Sequence, residues 1–447
     1  MSYRRIAPEE AFATPAVLAE TKRVLEGGSV EPGFAMMGAS ILGEDPGARA
    51  IPARLTDLGA GRIAQMDADG IDLALISMTS PGVQVFAPDV AVALAAEAND
   101  VLAEAVRAHP TRFAGLATVA PQVPGRVGAE LERAKAPGLK GFLINSHTGG
   151  EYLDLPHYAP IWEAAEALDM ALYLHPREPG PGMVSPFLDY GLYFAGWGFA
   201  AECGLHAMRL IMSGLFDRYP RLRICLGHMG EGIPFWLQRI DNRYALQVKI
   251  GAVTPPKRMP NDYFRDNFVI TTSGVTTDAA LRHVIDVLGV ERVKFAGDYP
   301  YEDVREGIDF LDGAPISDED RRAIYETNAV RSWGLPDARA VDPSAEPGAG
   351  RGRPGSLHRT GSPHRRGTRP RIQAGRGRFL QRRRAVTGGG PPLRYRGDKG
   401  LSQRRSDACG GAWPSRPHRP RGNRYAQPPP SACRSRRARS RFRGHQR

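Results

Sequence analysis

The chain has 447 residues and a formal net charge of +12, but this average combines two segments of opposite charge. Residues 351–447 contain 27 arginines, one lysine and two acidic residues, which leaves 32 basic and 46 acidic side chains in residues 1–350, a net charge of −14. An acidic segment of this length can bury a sizeable core as one large α/β barrel or two ordinary domains, so a small disulfide-stabilised protein is excluded.

The cysteine spacing and the hydropathy pattern predict a cytoplasmic protein. No pair of the four cysteines has CxxC spacing, so neither a disulfide framework nor a cysteine zinc site is indicated. No uncharged apolar run approaches the roughly 18 residues that a membrane-spanning helix requires. The first residues, MSYRRIAPEEAF, lack the apolar centre of a signal peptide. We therefore expect a reducing compartment and no contact with a membrane.

Short apolar runs alternate with Ala-rich amphipathic stretches from residue 4 to about residue 335, as is typical of βα units around a parallel sheet. Eight strands are predicted, at residues 4–12, 71–78, 113–119, 140–146, 171–176, 223–229, 268–274 and 293–300. Helices are predicted at residues 90–109, 158–169 and 279–289, where apolar side chains recur at intervals of three and four. Together they predict a distorted (β/α)8 TIM barrel with inserted loops over residues 1–338; a doubly wound sheet is the alternative.

Two segments interrupt this alternation. Leu25–Arg54 is predicted as a long connection rich in Gly and Met, and Pro176–Gly198 as an insertion rich in Gly, Pro and aromatic residues. Connections of this length in compact domains are usually lids or oligomer contacts. Both lie near the active face if they follow the C-terminal ends of strands.

Residues 339–447 consist mainly of Arg, Gly, Pro, Ser and Ala, and they have too few large apolar side chains to offset the entropy of ordering. We therefore predict a disordered tail. One interpretation is an arginine-rich segment that binds nucleic acid without sequence preference. The near absence of lysine is instead typical of GC-rich DNA translated in a shifted frame, which leaves the tail without function. The second interpretation is favoured, so we do not expect a nucleic-acid partner.

In a barrel of this kind the chemistry is carried by side chains at the C-terminal ends of strands. Glu9, His175 and Asp298 lie at the ends of three separate predicted strands, an arrangement that lets remote segments converge on one metal ion. Each alone has a structural interpretation: a polar strand end, a hydrogen-bonded core histidine and a turn residue before a proline. Their joint spacing favours a metal site within the barrel hypothesis.

His228 opens the motif GHMGEGIPFWLQRID, at a strand end that leads into a predicted helix. Glu231 follows three residues later, so the two side chains could meet across the first turn as an acid/base pair. Arg239 lies eight residues beyond Glu231, about two helical turns, and its guanidinium could bind a substrate carboxylate through two hydrogen bonds. The alternative for Arg239 is a surface ion pair with Asp241 or Glu231.

Several motifs resemble the amidohydrolase superfamily, in particular its decarboxylase branch related to aminocarboxymuconate semialdehyde decarboxylase. The resemblance runs from about Arg4 to Leu335 and covers none of the tail. The motifs that carry it include RIAPEEAFAT, INSHTGGEYLD, LYLHP, GHMGEGIPFWLQRID, DYPY and TNAVRSWGL.

The resemblance implies that Glu9, His175 and Asp298 are the ligands of one divalent metal ion. Many members of the superfamily have a second ligand, a histidine, two residues after the first, whereas Ala11 stands at that position here. This departure disfavours a two-metal hydrolase. It leaves a mostly oxygen-donor site, which favours Mn2+ or Mg2+ relative to Zn2+, with Mn2+ as the expected ion.

The resemblance also implies roles for residues around the metal. His228 and Glu231 become catalytic residues, and Arg239 becomes the contact of the substrate carboxylate. Arg49 is a candidate for a second arginine that reaches the substrate from a neighbouring subunit. Members of the family are usually dimers or tetramers, so a homo-oligomer is expected.

The implied reaction is non-oxidative decarboxylation of an ortho-hydroxy aromatic acid of the carboxyvanillate, resorcylate or dihydroxybenzoate type. Direct loss of CO2 from the ring would leave an unstabilised aryl anion, so the ring carbon must first be protonated, and Asp298 is the proposed proton donor. His228 with Glu231 would accept the phenolic proton. One alternative keeps the site but hydrolyses a lactone or another ester-like bond with metal-activated water; the other is nucleic-acid association through the tail.

Overall fold

The computed structural model describes residues 3–28, 30–43 and 46–336. All of them belong to the first of two compact units of the chain, Met1–Gly352. The second unit, Arg353–Arg447, lies outside the described residues. The predicted disorder of the Arg-rich tail and the predicted domain boundary after residue 338 therefore stay predictions.

Parallel strands follow one another around the molecule in the order of the chain. They are β1 Ile6–Phe12, β2 Leu73–Met78, β3 Phe113–Gly115, β4 Ala117–Thr118, β5 Gly141–Asn145, β6 Ala171–His175, β7 Ile224–Leu226, β8 Phe268–Thr271 and β9 Val293–Lys294. Hydrogen-bonded neighbours run β1-β2-β3 in one sheet and β4 to β9 in the second. This sequential parallel order confirms the predicted barrel, because the strand order of a doubly wound sheet reverses direction.

The two sheets are pieces of one barrel wall with two irregular points. β3 and β4 are separated only by Leu116, whose N–H still donates to Ile76 O at 2.9 Å. Between β9 and β1, no strand ladder is present in the described part of the chain. Single hydrogen bonds bridge this seam: the Ala11 N–H donates to Tyr299 O at 2.8 Å, and the Gly297 N–H donates to Glu10 Oε1 at 3.1 Å.

Each of the eight predicted strands contains an observed strand, but two strands are much shorter than predicted. The segment 223–229 contains only Ile224–Leu226, and the segment 293–300 contains only Val293–Lys294. The polar C-terminal part of each segment leaves the sheet, because His228 and Asp298 have φ values of 48° and 56°. These left-handed conformations are incompatible with an extended strand.

Helices surround the strands and connect them. They are Pro15–Glu26, Pro32–Leu42, Pro46–Thr56, Ala60–Asp69, Pro88–Ala108, Pro124–Lys135, Ala159–Ala167, Ser185–Leu188, Gly198–Met212, Leu215–Arg218, Ile233–Lys249, Pro260–Asn267, Asp278–Leu288, Val304–Gly313, Asp318–Arg322 and Asn328–Trp333. The three helices predicted from the 3.6-residue pattern are confirmed, with bounds that differ by one or two residues.

The prediction of a long loop over Leu25–Arg54 was wrong. The described part of this segment contains the helices Pro32–Leu42 and Pro46–Thr56. Each starts with a proline, which suits the first helical position because its missing N–H would have no intrahelical partner there. Phe34 and Met37 are buried in the main core, so tertiary packing supports a helix that the glycine content had concealed.

The second predicted insertion, Pro176–Gly198, is mostly irregular, with one helical turn at Ser185–Leu188 and a 3-10 turn at Asp189–Gly191. Inside the barrel, alternate strand residues such as Leu75, Tyr173 and Cys225 pack with Trp333 of the last helix. In the ranges that the structure describes, no helix combines the length and the apolar character needed to cross a membrane.

A buried polar network holds the end of β5 against helix Gly198–Met212. Ser146 Oγ donates to Glu202 Oε1 at 3.1 Å and lies 3.1 Å from His206 Nδ1. The Leu153 N–H donates to His206 Nε2 at 3.0 Å, so the neutral ring carries its proton on Nδ1. Burial lowers the pKa of His206 to about 3, which keeps this ring neutral at physiological pH.

We predict that His206 makes the folded protein less stable as the pH falls below 6.5. In the unfolded chain His206 binds a proton near pH 6.5, whereas in the folded protein it stays neutral down to about pH 3. The free energy of unfolding therefore decreases as the pH falls from 6.5 to about 3. Between pH 7.5 and 5.5 the contribution of His206 is a loss of about 1.4 kcal/mol. The free energy of unfolding is measured with urea at both pH values. Its decrease on acidification should be smaller by this amount in His206→Gln than in the unmodified protein, and equal decreases in the two proteins would contradict the prediction.

Candidate metal centre

Two carboxylates and one imidazole meet at the C-terminal end of the barrel. Glu9 lies in β1, His175 ends β6, and Asp298 follows β9. Each offers one ligand atom, and these atoms lie within 4.8 Å of one another. One such separation, between His175 Nε2 and Glu9 Oε1, is 3.9 Å. Since bonds from a divalent ion to these donors are roughly 2 Å long, one ion can bridge the three residues that the sequence placed on separate strands.

The donor atoms are oriented as a metal requires. Glu9 Oε1 is buried and has no hydrogen-bond partner among the described residues, whereas Oε2 accepts from the hydroxyls of Thr271, at 2.9 Å, and Ser273. His175 Nδ1 lies 2.8 Å from Pro176 O, and because a carbonyl only accepts, Nδ1 carries the proton. The lone pair of Nε2 is therefore free on the side that faces Glu9. The residues present fit a divalent cation.

The charges of this site are strongly coupled. Burial alone would raise the pKa of Glu9, but the nearby His228 and His175 outweigh it and lower the pKa. Burial lowers the pKa of His175 to about 4, so this ring is neutral and can act as a ligand. Burial raises the pKa of Asp298 to about 7, against the opposing hydrogen bond from His228. Asp298 can therefore carry a proton near neutral pH.

The His228–Glu231 pair forms beside the metal ligands, but not across a regular helical turn as predicted. All four residues from His228 to Glu231 have positive φ, and the regular helix starts only at Ile233. His228 Nδ1 lies 2.9 Å from Glu231 Oε1, and Nε2 lies 3.7 Å from Asp298 Oδ2. Burial opposes a charge on this ring, but the carboxylates of Glu231 and Glu9 raise the pKa of His228 well above its usual value.

Gly227 is required immediately before this turn. A Cβ at this position would lie 2.9 Å from Glu9 Oε1, the oxygen that faces the metal position. Only a residue without a side chain lets the β7 backbone approach the carboxylate so closely. The spacing between Glu9 and His228 therefore depends on a glycine that carries no chemistry.

A cavity of about 970 Å³ opens from His228 toward the surface. Its inner end is formed by His228, Glu231 and Glu302, and its outer walls include Trp197, Trp236, Arg239 and Arg243. His228 separates this cavity from the metal ligands, with its two nitrogens directed at Glu231 and Asp298. Apolar walls with a few convergent polar groups are typical of pockets for small molecules.

The two predicted substrate arginines lie in different places. Arg239 is exposed on the wall of this cavity, and among the described residues it forms no ion pair with Asp241 or Glu231. Arg49 is exposed on helix Pro46–Thr56 and lines a separate groove with Lys22, Leu25 and Pro52. Within a single chain the structure does not bring Arg49 to the metal centre, so a contact from a neighbouring subunit stays a prediction.

A second group of ligand-type residues is an ion-pair cluster with a buried arginine. Atoms of Glu31, His147 and Glu178 lie within 4.8 Å of one another. Both His147 nitrogens are engaged, Nε2 with Glu178 O at 3.1 Å and Nδ1 with the Gly150 N–H at 3.1 Å. Arg177 donates to the carboxylates of Glu31 and Glu178, so its charge already occupies the position that a cation would take.

Sequence reasoning gave no role to several residues beside the site. Burial raises the pKa of one of them, Glu10, to about 8, and its Oε1 accepts a hydrogen bond from the Gly297 N–H, next to Asp298. Arg62, fully buried, lies with its guanidinium carbon 4.1 Å from the centroid of the Tyr299 ring. Glu302 lies four residues after Asp298, and this short separation could have indicated from the sequence that Glu302 lines the cavity.

Comparison with known proteins agrees with this geometry. The γ-resorcylate decarboxylase of Polaromonas sp. strain JS666 is 40% identical over 293 residues, which cover 63% of this chain and 89% of the relative. The crystal structure of 5-carboxyvanillate decarboxylase from Sphingomonas paucimobilis has a TM-score of 0.73 and 42% identity over 75% of this chain and 100% of that chain. The 5-carboxyvanillate decarboxylase of Novosphingobium aromaticivorans, solved with manganese, has a TM-score of 0.73 and 40% identity over 75% of this chain and 97% of that chain.

The model of the amidohydrolase family matches residues 52–335. These residues include two of the three candidate ligands, His175 and Asp298, and the left-handed turn from His228 to Glu231. The match spans more than half of the chain and ends just beyond the last described helix, Asn328–Trp333. The predicted superfamily is thereby confirmed: the chain belongs to the amidohydrolase family.

Proposed function

We propose that this chain is a metal-dependent carboxy-lyase that removes CO2 from an ortho-hydroxy aromatic acid without an oxidant. One observation carries the proposal: Asp298 is shared between the three-residue ligand group and His228, whose Nε2 lies 3.7 Å from Asp298 Oδ2. A proton donor, a charged imidazole and a cation position thus lie next to one another at the C-terminal end of the barrel. Relatives named as decarboxylases of γ-resorcylate and 5-carboxyvanillate support the same reaction class.

Glu9, His175 and Asp298 would hold the divalent ion, with Mn2+ as the expected metal. When bound, the ion supplies Lewis-acid polarisation of the substrate oxygens and a template that orients the ring. Two carboxylates with one imidazole are a mostly oxygen-donor set, which suits Mn2+ and Mg2+ at least as well as Zn2+.

The protein's own residues supply the proton transfers. Without a metal ion, burial raises the pKa of Asp298 to about 7; in its protonated form this carboxyl would donate a proton to the ring carbon that bears the substrate carboxylate. Cleavage of the bond to CO2 then restores aromaticity. Glu231 and Glu9 raise the pKa of His228 well above its usual value, so the protonated ring would hold the anionic substrate, and Glu231, 2.9 Å from its Nδ1, orients the imidazole and stabilises its positive charge.

Arg239, on the cavity wall, would bind an anionic group of the substrate from the side opposite the metal ligands. The proposal includes a homodimer or homotetramer in which Arg49 of one subunit reaches the cavity of another. It also places the enzyme in the cytoplasm, in aromatic catabolism; the free, buried thiols of Cys203 and Cys225 suit a reducing compartment.

We predict that the ligand group binds Mn2+. Glu9→Gln and His175→Ala should each lower the affinity for Mn2+ by at least about tenfold, because each removes one of three protein ligands. Titration followed by electron paramagnetic resonance measures the free ion directly, without a substrate. Glu31→Gln, from the Arg177 ion-pair cluster, is the matched control and should bind Mn2+ like the unmodified protein. Equal affinity in all four proteins would remove the metal site from the proposal.

The proton-transfer roles predict two different defects. Asp298→Asn should abolish turnover, because the amide cannot donate the proton that the ring carbon needs. His228→Asn should lower kcat by about 10²-fold or more while the Mn2+ content stays unchanged, since His228 is not a ligand. Steady-state kinetics with metal analysis of the same samples checks both, and an active Asp298→Asn protein would exclude Asp298 as the donor.

The reaction class is tested with a substrate panel and a metal assay on one preparation. We expect CO2 release from at least one of carboxyvanillate, γ-resorcylate and 2,3-dihydroxybenzoate, and its loss after chelator treatment, with recovery on addition of Mn2+. A carboxylated pyrone lactone is included to test the hydrolase alternative. Ring opening of the lactone without CO2 from any acid would favour hydrolysis and overturn the decarboxylase proposal.

A further inference from the structure

Asp298 has a backbone conformation that its neighbours must maintain. Its φ of 56° lies in the left-handed region, which costs a non-glycine residue of order 1 kcal/mol or more. It also follows the short strand β9, beyond the last ladder pair, Thr271 with Lys294. The position of its carboxylate is therefore set by contacts other than the sheet.

Both peptide neighbours of Asp298 are tied to β1 across the barrel seam. On one side, the Gly297 N–H donates to Glu10 Oε1 at 3.1 Å. On the other side, Tyr299 O accepts from the Ala11 N–H at 2.8 Å. Since Glu9 immediately precedes these two anchors, the same short segment of β1 supplies one metal ligand and holds the backbone of another.

Arg62 completes the connection from the neighbouring helix Ala60–Asp69. Its two terminal nitrogens both donate to Ala11 O at 3.0 Å, and its guanidinium carbon lies 4.1 Å from the Tyr299 ring centroid. The side chain is 1% exposed, so the planar cation is clamped between the first strand and the segment after β9. Lysine cannot reproduce this geometry, because a single ammonium cannot make the planar two-nitrogen contact and stack on the ring.

The fit at Gly297 is tight. A Cβ at this position would lie 2.6 Å from Glu10 Oε1 and 3.1 Å from a Val304 methyl group. A glycine is needed here for close approach of the carboxyl group to the backbone, rather than for an unusual φ. Glu10 and Gly297 are thus complementary parts of one contact.

We propose that Glu10 and Arg62 are positioning residues that hold Asp298 at the distance and angle needed for metal binding and proton transfer. They act through the backbone on both sides of Asp298 and do not touch the reacting atoms. The inference rests on the proposed function only through the role of Asp298. Because Mn2+ binding is measured apart from CO2 release, failure of the positioning role can be distinguished from failure of the proposed reaction.

The alternative is that Glu10 and Arg62 only stabilise the fold, as hydrogen-bonded buried polar groups commonly do. The two roles differ in what the conservative variant restores. Glu10→Gln keeps a side-chain oxygen that accepts from the Gly297 N–H, whereas Glu10→Ala removes it. A purely structural role would lower the melting temperature without a selective change in metal affinity.

We test this with Glu10→Ala, Glu10→Gln and a matched control, Glu326→Ala. Glu326 is also a buried carboxylate, 3% exposed, and its Oε1 accepts from Arg4 Nε at 2.9 Å, away from the candidate metal ligands. Glu10→Ala should weaken Mn2+ binding about tenfold and lower kcat, which is the usual effect of losing a group that orients a metal ligand. Glu10→Gln should stay within about threefold of the unmodified protein, and Glu326→Ala should lose thermal stability only.

Arg62→Lys and Gly297→Ala provide the second measurement if Glu10→Ala does not fold. Both should weaken Mn2+ binding, the first by loss of the planar clamp and the second by displacement of the Glu10 carboxyl group. Unchanged Mn2+ affinity and kcat in the folded variants would overturn the inference, as would an equal loss of affinity in Glu326→Ala. If these variants lose Mn2+ affinity as expected but the unmodified protein releases no CO2 from any acid, the positioning role is retained and the proposed reaction is rejected.

Discussion

The close approach of two buried carboxylates governs the electrostatics of this protein. Glu9 and Asp298 are 3% and 9% exposed and approach one another at the same end of the barrel. Without a cation, burial raises the pKa of Asp298, and the nearby Glu9 carboxylate raises it further. A divalent ion would neutralise both groups, and His228 offers a second positive partner. The metal centre is therefore an electrostatic consequence of the arrangement of the strand ends.

Backbone strain is concentrated at this centre. His228, Met229, Glu231 and Asp298 all have positive φ, although none is a glycine. His228 and Glu231 line the inner end of the cavity and Asp298 lies next to His228, so the strain is located where the proposed chemistry takes place. The core beneath them is ordinary: alternate strand residues fill the barrel and Trp333 closes its base. Close packing of this core and the hydrogen bonds between β1 and the segment after β9 hold these residues in their left-handed conformations.

Sequence reasoning predicted most of the fold and the ligand set because both follow local rules. Alternation of apolar strands and amphipathic helices determines a parallel barrel, and a barrel brings strand ends together, so Glu9, His175 and Asp298 could be predicted from three distant segments. The helices within 25–54 were missed because their glycines obscure the pattern that packing of Phe34 and Met37 supports. The role of Glu10 was missed because its partner, the Gly297 N–H, lies 287 residues away.

The class of fold, the residue types at the strand ends and the glutamate three residues after His228 can all be read from the order of the amino acids. The folded chain was needed to show that this pair meets in a left-handed turn, that Arg239 and Arg49 lie in separate places, and that Arg177 occupies the second candidate site. Periodicity and propensity act over a few residues. Closure of the seam, burial of charges and orientation of donor atoms depend on groups that only folding brings within a few ångströms.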